Sequence, residues 1–115
     1  MKVLKTDNKK SGFYALLGPV FGSRVVEKAT HDRFYDDNGK VWYVYGKSGA
    51  ASLLDGCVKN FWADDDEAAD CLLREITSDY ETLTGIVPKV YDSAFMRAGF
   101  RLSVHSKNFM EVYKG

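Results

Sequence analysis

Four consecutive acidic residues, Asp64 to Glu67, directly precede the clearest helical pattern in the sequence. Carboxylates at a helix N-terminus accept hydrogen bonds from its unpaired N–H groups and complement its dipole. Asp64 and Glu67 also have the spacing of a capping box. The acidic run therefore predicts a well-capped helix start. Each carboxylate would repel an incoming phosphate by on the order of 1 kcal/mol at ~4 Å, even in a water-like dielectric.

Aromatic side chains form a second group that could bind a ligand by stacking on nucleic-acid bases. They are Phe34, Tyr35, Trp42, Tyr43 and Tyr45. Alternation along a strand places some of them in the core, and we expect Trp42 or Tyr43 to be exposed. The predicted binding surface combines these two residues with Asp64, Asp65, Asp66 and Glu67, whose charges could mimic nucleic-acid phosphates to a basic partner. A packed core and a solvated helix cap are the simpler interpretations.

The remaining reactive residues do not form a catalytic or metal pattern. His31 and His105 lie far apart in sequence, and no spacing suggests further metal ligands. Cys57 and Cys71 predict two buried, reduced thiols, since two cysteines cannot form a disulfide framework. Gly46-Lys47-Ser48 matches the end of a P-loop, but the upstream glycine is absent, so the segment predicts a hairpin turn. We expect no metal site.

Length and composition indicate one folded domain over residues 1–115. The chain is 45% hydrophobic and 14% aromatic, as in packed globular proteins. Its formal net charge is zero, from 16 basic and 16 acidic residues, which gives no support for nucleic-acid or anionic-membrane binding. The N-terminal segment is polar, and no apolar run approaches the ~20 residues that cross a bilayer. We therefore expect a soluble, cytoplasmic protein.

The pattern of apolar and turn residues predicts the elements that must position these side chains. Asn38-Gly39 predicts a hairpin between residues 33–35 and 40–45. Residues 51–62 predict one strand or a bent pair, with Gly56 as a candidate bulge. The longest helix is predicted over 64–84, ending at Gly85. The other predicted elements are strands at 1–4, 86–90, 100–105 and 109–113, and helices at 12–17, 20–29 and 93–98, the first capped by Ser11.

This element order predicts an α/β (α+β) fold with a mixed, mostly antiparallel central sheet. Antiparallel strands come first in the chain, and a strand–helix–strand crossover follows them. Helices are therefore expected on both faces of the sheet.

Two local patterns have counterparts in a known family. Residues 94–101 read AFMRAGFR, and residues 21–28 read FGSRVVEK, with GKVWYV following at 39–44. The first resembles the Y-x-x-x-G-F ending of the fourth helix in the GNAT superfamily of N-acetyltransferases. The second is similar to the F-x-x-R-x-V-x-K…W-F-V opening of GNAT proteins from bacteriophages and mobile elements. With the element order, the resemblance covers nearly the whole chain and implies a GNAT-like fold.

The resemblance implies a phosphate site that this sequence lacks. GNAT proteins bind the acyl-CoA pyrophosphate through R/Q-x-x-G-x-G/A at the start of the long helix. Alignment of Leu72-Leu73 with the family's helix leucines places Asp64 at the Arg/Gln position and Glu67 at the first glycine. Only Ala69 fits, so a degenerate loop is predicted at Asp64, Asp65, Asp66, Glu67 and Ala69.

The resemblance also implies a missing proton donor. In many family members a tyrosine four residues before Gly-Phe acts as general acid toward the CoA thiolate, and here that residue is Phe95. The family's asparagine near the end of the preceding strand falls at Pro88. Tyr91 is the candidate acid if the chain is active, although a partly buried structural tyrosine is the simpler interpretation. Candidate bases are Glu27, Asp55 and Asp92.

We interpret these departures as a non-catalytic GNAT-like domain, derived from a phage or mobile element, that binds another protein and no cofactor. The first alternative is an active N-acyltransferase that uses acetyl-CoA or another acyl-CoA at a divergent site. The second is a structural or virion-associated protein that assembles with copies of itself. An open cleft between the central strands would favour a ligand, whereas a cleft filled by Phe61, Trp62 or Phe95 would not.

Overall fold

The computed structural model describes residues 2–115 and contains seven strands and four α-helices within them. The strands are β1 Val3–Thr6, β2 Val41–Tyr45, β3 Gly49–Leu54, β4 Cys57–Ala63, β5 Leu83–Pro88, β6 Arg101–Val104 and β7 Phe109–Lys114. The helices are α1 Phe13–Leu17, α2 Arg24–Thr30, α3 Asp66–Asp79 and α4 Asp92–Arg97, with a 3₁₀ turn at Lys89–Tyr91. No helix among the described residues is long and apolar enough to cross a membrane.

The strands form one sheet in the order β1-β2-β3-β4-β5-β7-β6. Within residues 2–115 every neighbouring pair is antiparallel except β4 and β5, which are parallel. Helix α3 connects these two strands, as a parallel pair requires a crossover. The predicted mixed, mostly antiparallel α/β class is therefore confirmed.

The sheet has a hydrophobic core on each face. Helices α3 and α4 cover one face, where Leu72 and Ile76 pack with Phe61 and Phe95. Helices α1 and α2 cover the β2–β4 part of the other face, where Phe13 and other apolar side chains surround Trp42. This arrangement confirms the expectation of helices on both faces.

The prediction that Trp42 or Tyr43 is exposed was wrong. Their side chains alternate across β2, and because each face has its own helical cover, both residues are buried, at 0% and 1% exposure. The hydroxyl of Tyr43 donates a 2.7 Å hydrogen bond to Asp79 at the end of α3. That bond lowers the pKa of Asp79, and burial raises the pKa of Tyr43. Both aromatic residues are core residues.

The predicted 33–45 hairpin was also wrong, because residues 33–35 form no strand and β2 pairs instead with β1 and β3. The bent pair over 51–62 is observed as the β3–β4 hairpin, but Gly56 lies in its turn, at φ 76°. The first strand begins at Val3, and Met1 lies outside the described residues.

The ends of helices α1 and α3 differ from the predicted ones. Asp65, rather than Asp64, caps α3 by accepting a 2.8 Å hydrogen bond from the Ala68 amide, so the predicted capping box is absent. The helix ends at Asp79, well before Gly85, which lies inside β5. Ser11 does not cap α1; Gly12 is the N-cap and makes no side-chain bond.

A β-bulge in β4 controls how the central strands meet. Ser52 pairs with Asn60 and Leu53 with Val58, so Lys59 has no partner in β3. Such an extra residue bends its strand. Beyond Val58, β4 no longer pairs with β5, and the two strands diverge.

Buried polar side chains hold this bulge in place. The Asn60 side-chain oxygen accepts hydrogen bonds from Ser52 Oγ at 2.6 Å and Lys40 Nζ at 3.0 Å. Its amide nitrogen donates to Asp32 at 3.0 Å. Because an unsatisfied buried polar group costs about 1–3 kcal/mol, these bonds fix the loop before β2 against β4.

The parallel contact depends on a residue without a side chain. A Cβ on Gly85 would lie 2.9 Å from both the Cβ and the carbonyl oxygen of Val58. Atoms of β4 cannot yield without breaking the two-pair contact between the strands, Cys57 with Thr84 and Val58 with Gly85. Gly85 is therefore required for close approach of the strands.

We predict that Gly85→Ala lowers the free energy of unfolding by about 1–3 kcal/mol, because the added methyl group overpacks the β4–β5 contact. Urea unfolding measures the change. The control is Thr84→Val, at an exposed neighbouring position, which should stay within about 0.5 kcal/mol of the native chain. Equal stability of the two variants would contradict this account of Gly85.

Candidate functional site

The candidate site is the cleft between the diverging parts of the parallel strands, residues 59–63 of β4 and 86–88 of β5. Pairing stops after Val58 and Gly85, so the backbone of β4 beyond that point has no strand beside it on the β5 side. The GNAT resemblance implies a cleft at this position. The cleft can either be open to a ligand or be filled by core side chains. Its mouth lies at the end of β4, next to the start of α3.

Aromatic side chains fill the interior of this cleft. Phe61 of β4 and Phe95 of α4 are both fully buried, with ring centroids 4.9 Å apart in an edge-to-face arrangement. Phe95 also contacts Phe100 at 5.0 Å, and Phe61 contacts Tyr91 at 5.2 Å. Edge-to-face pairs of this kind add about 0.5–1.5 kcal/mol each beyond burial. Trp62, the third residue named from the sequence, packs in the core of the other sheet face.

Tyr91 closes the mouth of the cleft. Its hydroxyl accepts a 3.1 Å hydrogen bond from the Ala63 amide and donates one of 3.2 Å to the Ala63 carbonyl. The side chain thus satisfies both backbone groups of Ala63 where a neighbouring strand would otherwise be needed. Burial raises the pKa of Tyr91, and the negative charge of Asp64 acts in the same direction. Its proton is therefore held, and it is directed at the protein's own backbone.

Three residues of the acidic run at the mouth contact other groups of the protein through their side chains. Asp65 caps α3, and Glu67 accepts a 3.0 Å hydrogen bond from the Tyr45 hydroxyl. Asp66 lies 3.5 Å from Arg97, which also pairs with Asp70 at 3.0 Å. A phosphate docking at this helix start would have to displace the Asp65 cap and approach several carboxylates. These residues do not fit a pyrophosphate group.

All four residues of this run are exposed, and Asp64 is the first of them. Its amide donates to the Ser48 carbonyl, and no side-chain hydrogen bond of Asp64 is seen among the described residues. Asp64 lines a concavity of about 300 Å³ at the cleft mouth. The other lining residues are Ala29, Ala63, Asp65, Asp66, Val90 and Tyr91. Val90 is 68% exposed, so the mouth presents an apolar side chain beside negative charge.

Ala69, the residue that fits the family's loop, is buried in the core beneath α3. Glu67, at the predicted glycine position, lies beside Cys71 and Tyr45. The Cys71 thiol and the Glu67 carboxylate raise the pKa of Tyr45 to about 12. The helix start is thus packed by side chains where the family has glycine backbone.

The candidate bases do not gather around Tyr91. Asp55 lies in the β3–β4 turn, at the opposite end of β4 from Ala63. Glu27, on α2, lies 3.8 Å from Arg33. Asp92 adjoins Tyr91 in sequence, but its carboxylate accepts a 2.7 Å hydrogen bond from the Ser93 amide. The geometry brings together Tyr91, Phe95 and the acidic run, and leaves the bases apart.

The remaining reactive residues lie on separate elements. His31 is the left-handed C-cap of α2, and His105 lies 3.7 Å from Glu111 after β6. Cys57 and Cys71 are free and only half-buried, which corrects the expectation of full burial. Gly46-Lys47-Ser48 forms the β2–β3 turn, as predicted. No group of three or more metal-ligating side chains occurs among residues 2–115.

Sequence reasoning missed the bond between Tyr91 and Ala63. The only signal was the position of a tyrosine one turn before Phe95, after Pro88. It also missed the buried network around Asn60, because a polar residue within an apolar strand pattern does not reveal its partners.

The chain is similar in structure to one solved protein, described as the N-acetyltransferase PseH of Campylobacter jejuni. The TM-score is 0.49 and the sequence identity 17%, over 67% of this chain and 68% of that one. No protein-family model matches the chain, and no curated protein matches it.

We predict that Tyr91→Phe lowers the free energy of unfolding by about 1–2 kcal/mol, because it leaves the amide and carbonyl of Ala63 without their partner. Chemical denaturation measures the loss. Tyr35→Phe is the matched control, since Tyr35 is 53% exposed and its ring contact with Lys40 survives the change. A Tyr91→Phe variant as stable as the control would show that the hydroxyl does not hold the cleft shut.

Proposed function

We propose that this chain is a GNAT-like domain that has given up acyl-CoA binding and acts by binding another protein. The observation that carries the proposal is the cleft: its end is bonded by Tyr91 and its interior is packed by Phe61 and Phe95. In such a domain, the side chains that fill the cleft stabilise the fold and occupy the space that a ligand would otherwise take.

The GNAT-like assignment is supported by the chain's own topology. Helix α3 crosses between two parallel strands that diverge, and helix α4 then leads into Gly99 and Phe100, where the family motif places them. The second motif falls on α2 and β2. An origin in a phage or mobile element belongs to the same proposal and is supported by that second motif.

Two physical obstacles support the loss of acyl-CoA binding. A ligand entering the cleft would have to replace the Tyr91–Ala63 bonds and displace packed aromatic rings. Its pyrophosphate would meet the carboxylates of Asp64, Asp65 and Asp66 at the helix start. Each obstacle opposes binding independently, so removing one leaves the other.

The proposed binding surface is the cleft mouth, where Asp64 and Val90 are both exposed. An exposed carboxylate beside an apolar side chain fits a partner that offers a Lys or Arg next to apolar contacts. Trp42 and Tyr43 are excluded from this surface by their burial.

We predict no heat on titration of the protein with acetyl-CoA or free CoA at low salt, and no thermal stabilisation at millimolar ligand. A ligand at 100 times its dissociation constant would stabilise the fold by about 2.7 kcal/mol, which corresponds to several degrees in a domain of this size. Inorganic pyrophosphate is the control for adventitious anion binding. Micromolar binding of acetyl-CoA, with none of pyrophosphate, would overturn the proposal and favour an active acyltransferase.

We predict that Asp64→Lys abolishes capture of a partner by cross-linking in extracts of the source cell. Glu81→Lys makes the same charge change at an exposed position after α3 and should leave capture unchanged. Mass spectrometry of the cross-linked species identifies the partner and its contact residues. Equal capture by the two variants would contradict the proposed surface.

A further inference from the structure

Half of one sheet face has no helical cover. On the side of α1 and α2, these helices pack over β2, β3 and β4. On the same side, no helix within residues 2–115 packs over β5, β7 and β6, so the side chains of these strands that point to this side are exposed. The outward residues are Thr84, Ile86, Arg101, Ser103, Glu111 and Tyr113. Together with Cys57 they line a shallow concavity of about 500 Å³. We call this surface the open face.

The centre of the open face contains two partly exposed apolar side chains. Ile86 is 44% exposed and Tyr113 39% exposed, on the neighbouring strands β5 and β7. The Arg101 guanidinium lies over the Tyr113 ring, 5.1 Å from its centroid. Tyrosine and arginine around an aliphatic anchor are the residue types enriched at protein interfaces.

Arg101 and Glu111 on the open face carry opposite charges but do not pair with each other within one molecule. Arg101 makes no salt bridge among the described residues, and Glu111 contacts His105 at 3.7 Å. Arg101 lies opposite Tyr113 in the sheet, and Ser103 lies opposite Glu111. The base and the acid therefore occupy diagonal positions on adjacent strands, so the open face carries one charge of each sign.

We propose that two copies of this chain associate face to face through the open face. In a two-fold arrangement the same patch meets itself, so Arg101 of each copy can pair with Glu111 of the other, twice. The same packing brings the exposed parts of Ile86 and Tyr113 together between two sheets about 10 Å apart. A foreign partner would need a matching pair of charges, whereas a second copy supplies it by symmetry.

This association leaves the cleft mouth free, because the open face lies over β5, β7 and β6, whereas the mouth lies at the end of β4. The apolar centre of the patch consists of two partly exposed side chains, so we expect a weak dimer. The cleft mouth stays accessible in each copy.

Sedimentation velocity over a range of concentrations tests the proposal. We expect a monomer–dimer equilibrium, at least tenfold weakening in Ile86→Asp, and no change in Val104→Asp. Val104 is the matched control because it is 79% exposed on β6 but lies on the opposite sheet face from Arg101 and Ser103. Circular dichroism and thermal melting confirm that both variants remain folded.

Charge reversal gives a second, independent readout. Arg101→Glu and Glu111→Arg should each weaken the dimer, and the double variant should restore it, because the pairing is then reversed in both copies. A protein that stays monomeric at every concentration would overturn the proposal. So would a dimer that Ile86→Asp leaves intact, or two charge reversals whose effects add without any restoration.

Discussion

The fold of this protein depends on one close contact, between Val58 of β4 and Gly85 of β5. No side chain fits between the strands there, and a Cβ on Gly85 would lie 2.9 Å from two Val58 atoms. The contact is short because the bulge at Lys59 turns β4 away immediately afterwards. Where a parallel pair meets at one point and then separates, the backbone N–H and C=O groups beyond that point need other hydrogen-bond partners.

In this chain, side chains complete the sheet. The Tyr91 hydroxyl takes the hydrogen bonds of Ala63, and Phe61 with Phe95 occupies the space between the strands. Burial of these rings stabilises the fold by about 25 cal/mol for each Å² of apolar surface removed from water. The acidic helix start adds an electrostatic barrier at the same mouth. In the proposed function, the residues that complete the sheet also keep a large anionic ligand out of the cleft.

The α/β class and most elements could be predicted from the sequence, because β2 is a dense run of β-branched and aromatic residues and α3 has apolar residues at helical spacing. The hairpin at Asn38-Gly39 could not, since a local turn signal does not reveal that β1 and β3 occupy both edges of β2. The prediction that Trp42 or Tyr43 is exposed failed for a related reason. Alternation along a strand gives two faces, but only packing shows that helices cover both. The bond between Tyr91 and Ala63 joins residues 28 apart in sequence and has no local signal.

The most direct test of the filled cleft is amide hydrogen exchange at Ala63, followed by NMR with and without acetyl-CoA. If Tyr91 holds this amide, exchange is as slow as in the paired residues of β3, and millimolar acetyl-CoA leaves the rate unchanged. Fast exchange at Ala63 in the free protein, or exchange that slows when acetyl-CoA is added, would show an open cleft and contradict the account.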